Sequence, residues 1–357
     1  MRKYHQLTVT EVEQETPDSM RVALDVPEKE RDAFRFLPGQ HLPMQITLQN
    51  KPVRRTYSIC SVPGEWPLRI GVRVQPGGKF SGFVASELKV GDRIDVMPPF
   101  GQFHANIDSG NEKTYLAFAA GSGITPILSI IRATLEQEPR SRFLLFYGNR
   151  RQQTTMFIDD LFALKNRFPE RLQLHFVFSQ EEQEFDVFSG RLDAERVPEL
   201  YEAFCRELQP DEAFVCGPNT MIDNVRTALV GLGMAEDVIH IERFGAPRKG
   251  GGELRPETAA VTDTLATIDI IMDGHKKSFE MRAGSANIVD AAAEHGIELP
   301  YSCKGGVCAT CRTHVREGEV SMATNYGLEP WEVEKGFVLA CQSVPVTDKL
   351  TLDYDKT

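Results

Sequence analysis

Tyr301-Ser302-Cys303-Lys304-Gly305-Gly306-Val307-Cys308-Ala309-Thr310-Cys311 is the stretch on which the reading of this chain turns. Three cysteines stand in the spacing Cys-x4-Cys-x2-Cys, and Cys341 follows after 29 further residues. A cluster of two irons needs four converging thiolates, three from a tight loop and one from a distant segment. The glycines at 305 and 306 let the backbone wrap closely, and loop N–H groups can then donate to sulfur and temper its charge. Structural zinc is the competing reading, but zinc sites usually show paired Cys-x2-Cys knuckles or histidines, and only one such knuckle is present. The spacing therefore predicts a [2Fe–2S] cluster on Cys303, Cys308, Cys311 and Cys341, and with it a one-electron carrier.

Outward from the cysteines the chain divides into segments. The 357 residues suit two or three domains. Residues 246–262, with three glycines and two prolines, read as a linker. Beyond it, residues 263–357 show strands near 266–272 and 277–281, a helix near 287–295, and the cysteine loop. This last segment has 15 acidic and nine basic side chains, a net of −6 against −11 for the whole chain. Residues 1–106 alternate in short β-branched runs, at 7–12, 19–26, 41–48, 68–74 and 93–97, broken by Pro-Gly pairs. That pattern predicts a small antiparallel β-barrel. Residues 107–245 change period. Apolar strands (114–119, 142–147, 172–178, 213–216) alternate with helical patterns (126–136, 159–167, 221–232), which predicts a doubly wound parallel α/β sheet.

The acidic balance argues against nucleic acid as a partner. No run approaches the roughly 20 apolar residues of a membrane helix, and no apolar signal core follows Met1-Arg2-Lys3. A cytoplasmic protein without a membrane partner is expected. Seven cysteines in such a compartment do not suggest a disulfide framework. Cys60 and Cys205 read as packing residues.

Two further motifs sit ahead of the cysteines. Arg55-Thr56-Tyr57-Ser58 lies on an early strand, and Gly78-Lys79-Phe80-Ser81 opens a helix about 20 residues later. Tyr57 can cover an isoalloxazine ring or its ribityl chain, Ser58 can donate to the flavin N5, and Arg55 can neutralise a phosphate. The start of the helix offers free N–H groups to an anion. Alone, the first motif also fits an exposed strand with one arginine. Tyr115 to Ile131 then reads as strand, glycine turn and helix, with Gly121 and Gly123 letting a pyrophosphate approach the backbone before Thr125 and Pro126 begin the helix. Cys216-Gly217-Pro218 follows a strand at its carboxyl end, where α/β ligands bind; a small buried cysteine is the plain alternative. Arg150, after the strand ending at Tyr147, is a candidate partner for the 2′-phosphate of NADPH, though Arg150 and Arg151 could equally be solvated.

These motifs resemble known families. The cysteine loop is similar to plant-type ferredoxins, which implies a β-grasp fold for residues 263–357. The two earlier motifs together resemble the ferredoxin–NADP⁺ reductase superfamily. That resemblance implies FAD, a Thr125 facing the nicotinamide, a Cys216 near its C4 atom, and an aromatic, here Phe244, beside the flavin. It implies NADPH, with NADH the alternative because Ser179-Gln180 stands where NADP-dependent relatives carry Ser-Arg. A reductase followed by a ferredoxin resembles the reductase components of bacterial oxygenases. The segments at 36–41, 55–60, 119–126, 147–150, 303–311 and 324–330 are similar to those of phenylacetyl-CoA epoxidase reductases. The implied partners are the oxygenase subunits of a multicomponent complex, with a diiron protein as acceptor. A steroid, alkane or aromatic-ring hydroxylase is the alternative acceptor, and a zinc-binding scaffold is the reading outside redox chemistry.

Overall fold

The computed structural model describes residues 3–245, 265–282 and 287–356. The linker expected at 246–262 lies outside the described residues. The chain divides into two compact units, the larger formed by His5–Val53 and Tyr57–Phe244 and the smaller centred on the C-terminal segment.

The larger unit begins with six antiparallel strands. Their order is Lys51–Ser58, His41–Leu48, Arg93–Val96, His5–Thr16, Ser19–Asp25, Leu68–Arg73. The two ends of this sheet meet where Ile59 bridges Ile70 and Cys60 N donates to Arg69 O at 2.8 Å. The sheet therefore closes into the expected barrel, which removes its edges. Alternate residues fill the interior: Leu7, Val9, Leu24, Leu42, Met44, Ile70 and Val72 are wholly or almost wholly buried.

A parallel sheet follows, in the order Ile239–Glu242, Glu212–Cys216, Thr114–Ala120, Arg142–Asn149, Leu172–Phe178. Its central strands are apolar on both faces because helices cover both sides. One face packs Ile127, Ile130 and Ile131 of helix Ile124–Gln137 over Tyr115, Phe143 and Phe214. The other packs Val197, Leu200, Ile222 and Val225 over Phe118 and Phe146. Barrel and parallel sheet are joined by specific contacts. Glu15 accepts from Phe157 N at 2.7 Å, Arg21 bridges Glu15 and Asp160, and Ser129 Oγ, fully buried, donates to Ser61 O at 2.7 Å.

The smaller unit carries a five-stranded mixed sheet in the order His275–Arg282, Leu265–Met272, Lys349–Asp353, Arg312–Glu317, Phe337–Leu339. Asp273 and Gly274, both at positive φ, make the tight turn of its first hairpin. Helix Ile288–Glu294 lies against the sheet, its start capped by Asn287, which accepts from Asp290 N at 2.9 Å. Among the described residues no helix is long and apolar enough to cross a membrane.

Candidate redox sites

The loop from Cys303 to Cys311 is held open by backbone that few residues adopt. Lys304, Gly306 and Ala309 all have positive φ, with values of 50, 73 and 48°. The covering segment 324–328 approaches so closely that a Cβ on Gly306 would lie 2.9 Å from Thr324 O, and one on Gly327 would lie 2.8 Å from Val307 O. Tyr326 N donates to Gly306 O at 2.9 Å, and Asn325 Oδ1 ties the turn by accepting from Leu328 N at 2.9 Å.

This geometry brings the four sulfurs together as two pairs, Cys303 with Cys308 and Cys311 with Cys341. Donors surround them. Gly305 N reaches Cys303 Sγ at 3.3 Å, Thr310 Oγ1 reaches Cys308 Sγ at 3.2 Å, and Gln342 Nε2 reaches Cys341 Sγ at 3.6 Å. The hydrogen bond with Cys308 and then the loop N–H groups, against burial, hold the Cys303 thiol below its usual range. Donors aimed at sulfur fit thiolates carrying a cluster's negative charge. Two pairs of sulfurs suit the two irons of a [2Fe–2S] cluster.

In the barrel, strand Lys51–Ser58 presents Arg55, Thr56, Tyr57 and Ser58 in sequence. Arg55 is exposed and Ser58 buried. Helix Lys79–Ser86 starts at Gly78, where a Cβ would lie 2.5 Å from Ser81 Oγ. Ser81 Oγ accepts from Gln75 N at 3.1 Å, so its own proton stays free to donate. The first-turn N–H groups of Lys79, Phe80 and Ser81 have no acceptor within the helix. The Phe80 ring is in the barrel core, 5.3 Å from Tyr57, so toward a ligand it offers only its backbone. These features fit a flavin with phosphates at the helix start.

Two residues absent from the expected set stand beside Ser58. Its hydroxyl lies 3.4 Å from Glu242 Oε2, and Glu242 Oε1 lies 3.4 Å from His41 Nδ1. His41 is buried, and its Nε2 has no partner. Glu242 ends strand Ile239–Glu242 in register with Cys216. Cys216 is fully buried, and burial, with the Glu242 carboxylate adding, pushes its thiol well up. Phe244, two residues on, is nearly half exposed.

Strand Thr114–Ala120 runs into Gly121–Gly123 and helix Ile124–Gln137. Gly121 takes φ 55° and has open space above it, with Arg73 Nη2 3.6 Å away as the nearest atom to a Cβ there. Gly123 serves a different purpose from the one its motif suggests. A Cβ there would lie 2.1 Å from Cys216 O, so it lets the Cys216-Gly217 backbone pass. Thr125 is buried, donates to Ser122 O at 2.9 Å, and packs its methyl where Gly71 leaves room. Beyond the ends of the next two strands, Arg151, Gln152, Gln153, Gln180 and Glu181 line a cleft of about 450 Å³. Arg150, the expected phosphate partner, is exposed beside it but does not line it.

Comparison with known proteins agrees with this layout. An oxidoreductase FAD-binding domain matches residues 6–105, an oxidoreductase NAD-binding domain matches 118–227, and a 2Fe-2S iron-sulfur cluster binding domain matches 270–346. The fold is that of phthalate dioxygenase reductase, with a TM-score of 0.59 over 98% of both chains at 24% identity. Fold, site and domain order define an NAD(P)H-dependent oxidoreductase that carries FAD and a [2Fe–2S] cluster. The chain is 42% identical over 357 residues to a component of the 1,2-phenylacetyl-CoA epoxidase of Escherichia coli, covering 99% of both, and belongs to its family. It is also 33% identical to the ferredoxin reductase component of 3-ketosteroid-9-alpha-monooxygenase from Rhodococcus rhodochrous, over 98% of this chain and 96% of that one.

Proposed function

We propose that this chain is the reductase component of a multicomponent oxygenase and delivers electrons from NAD(P)H to an oxygenase partner that epoxidises phenylacetyl-CoA. The full-length likeness to the Escherichia coli epoxidase component carries this reading. No Glu-x-x-His pair of the kind that holds a diiron centre occurs in the chain, so the oxygen chemistry belongs to the partner.

The residues divide the work by position. Domains 1–106, 107–245 and 263–357 hold flavin, nicotinamide and cluster respectively. Ser58 donates to the flavin N5 and Tyr57 covers the ring or ribityl chain. Arg55, the N–H groups of Gly78, Lys79 and Phe80, and Ser81 hold the phosphates. Phe244 lies beside the flavin. Gly121, Gly123, Thr125 and Pro126 shape the dinucleotide turn, and Cys216-Gly217-Pro218 borders the nicotinamide. Arg150, with Arg151 in the cleft, faces the 2′-phosphate of NADPH. Cys303, Cys308, Cys311 and Cys341 ligate the irons. When bound, the flavin supplies the conversion of a hydride's two electrons into single electrons that a [2Fe–2S] cluster can take. No side chain need act as a strong acid or base; the protein positions and tunes. Cysteines that ligate iron rather than forming disulfides suit the reducing cytoplasm.

Reconstitution tests the acceptor. NAD(P)H-driven turnover is expected with a purified phenylacetyl-CoA epoxidase core. Turnover with a steroid or other hydroxylase and none with the epoxidase core would reject it.

A further inference from the structure

Gly71 stands inside strand Leu68–Arg73 of the barrel without a left-handed φ, so space rather than backbone freedom is the reason for a glycine there. A Cβ on it would lie 2.8 Å from both Cε2 and Cζ of Phe157 and 2.8 Å from Cγ2 of Thr125. The bare strand backbone thus receives two side chains of the nicotinamide lobe. Arg21 stands directly opposite Gly71 on the neighbouring strand, so its side chain leaves on the same face. Its guanidinium lies 5.0 Å from the centroid of the Phe157 ring, and Phe157 is 1% exposed.

Phe157 reaches this place through backbone that a bulky residue rarely adopts, φ 58° and ψ 27°, immediately before helix Ile158–Arg167. Its N–H donates to Glu15 Oε1 at 2.7 Å, and Arg21 pairs with both Glu15 and Asp160 of that helix. These bonds hold the unfavourable conformation in place. The same segment is tied to the dinucleotide turn. The fully buried Tyr147 hydroxyl donates to Gly121 O at 2.9 Å and lies 3.3 Å from Met156 O. On the barrel side, Ile70, next to Gly71, bridges Ile59, which follows Ser58. Phe157 and Gly71 therefore stand between the dinucleotide turn and the strand end that carries Ser58.

We propose that Phe157, seated on Gly71, is a positioning residue for hydride transfer: its ring sets the spacing between the nicotinamide at the turn Gly121–Pro126 and the flavin beside Ser58. The inference rests on the reading of that turn and of Ser58 as the two cofactor sites. The hydride leaves NAD(P)H with both electrons of its C–H bond and passes to the flavin, leaving NAD(P)⁺. Distance and alignment of the two rings are what the protein supplies. A misplacement of about 1 Å costs on the order of 10²-fold in rate. A smaller side chain at position 157 opens a gap into which the turn can move, and a Cβ at position 71 pushes ring and turn outward. Either change alters the spacing and leaves the groups that hold each cofactor in place.

The test compares Phe157→Leu, Gly71→Ala and the double variant as holoproteins, each shown by circular dichroism and thermal denaturation to be folded at the working temperature. Anaerobic rapid mixing with NADPH or NADH gives the rate of flavin reduction. Titration of the reduced flavin with NADP⁺ or NAD⁺ gives the long-wavelength charge-transfer absorbance that reports stacking of the two rings. Each single variant is expected to lower the limiting rate by about tenfold or more and to weaken the charge-transfer band, with the dissociation constant of the coenzyme little changed. In the double variant the added methyl occupies space that leucine vacates, so rate and band are expected to recover toward wild type. A structural role alone would lower thermal stability and leave rate and band of the folded protein unaltered. Unaltered rate and band in Phe157→Leu, or losses that simply multiply in the double variant, overturn the proposal. Phe157→Leu alone decides if the proteins carrying Gly71→Ala do not fold. Unaltered flavin reduction in Gly123→Ala would instead reject the dinucleotide turn beneath it.

Discussion

Gly123 and Cys216 lie backbone against backbone: a Cβ on Gly123 would stand 2.1 Å from the Cys216 carbonyl oxygen and 2.5 Å from its carbon. Neither atom is the end of a flexible side chain, so relief requires one of the two loops to move. Those loops are the dinucleotide turn and the Cys216-Gly217-Pro218 segment. Gly123→Ala is therefore expected to lower stability by about 1–3 kcal/mol, as overpacking does, and to lower NAD(P)H-driven flavin reduction at least tenfold. Thermal denaturation and single-turnover flavin bleaching measure both. Unaltered bleaching would mean that the turn does not hold the nicotinamide.

Cys341→Ser removes one member of the Cys311–Cys341 pair. Iron–sulfur absorption should fall sharply, while NAD(P)H-to-dye reduction through the flavin should remain near wild-type level. Simultaneous loss of dye reduction would contradict the separation of flavin and cluster functions.

Glu332 is 1% exposed and pairs with Arg312 Nε at 2.6 Å, directly after Cys311. The Arg312 guanidinium also lies 3.6 Å from the Phe337 ring centroid. Removing one partner of a buried pair leaves the other charge uncompensated, at about 3–5 kcal/mol. Glu332→Ala should destabilise the cluster-bearing segment by that order in urea denaturation and speed cluster loss. A change below about 1 kcal/mol would place this pair among surface bridges.

Glu212 bonds His240 Nε2 at 3.3 Å and Lys113 Nζ at 2.5 Å. The His240 hydrogen bond outweighs burial and, with Lys113, holds Glu212 down to about 2. A depressed carboxylate stabilises the fold above its unfolded pKa, near 4.3, and loses that contribution as pH falls toward its folded value. Glu212→Gln should therefore be less stable than wild type near pH 7, and the gap should narrow below about pH 4. A gap that widens on acidification would reverse the assigned sign.

Much of the fold was visible in local pattern. Strands His41–Leu48 and Leu172–Phe178 match their expected spans, because large apolar residues recur at every second position along both. Helix Ile124–Gln137 starts two residues earlier than its pattern suggests. Strand Ile239–Glu242 is only four residues long, and helix Arg196–Phe204, although Val197, Leu200, Tyr201 and Phe204 stand at helical spacing, carries Pro198 near its start. The site was legible where spacing is short. Ser58 and Glu242 are 184 residues apart, and His41 and Glu242 are 201 apart, so no motif could join them. The signal for Glu242 was its place two residues before Phe244. Gly123 was assigned to a glycine turn, but its neighbour across the sheet, Cys216, supplies the reason for a glycine there.

The electron path from nicotinamide through flavin to cluster is tested most directly by anaerobic rapid mixing of the holoprotein with NADPH or NADH, followed by flavin absorbance and by freeze-quench electron paramagnetic resonance of the cluster. Flavin absorbance is expected to fall first, and the reduced [2Fe–2S] signal to follow from the same molecules, with that signal absent in Cys341→Ser. A cluster that stays oxidised while the flavin is fully reduced, or that is reduced without the flavin, would contradict this path.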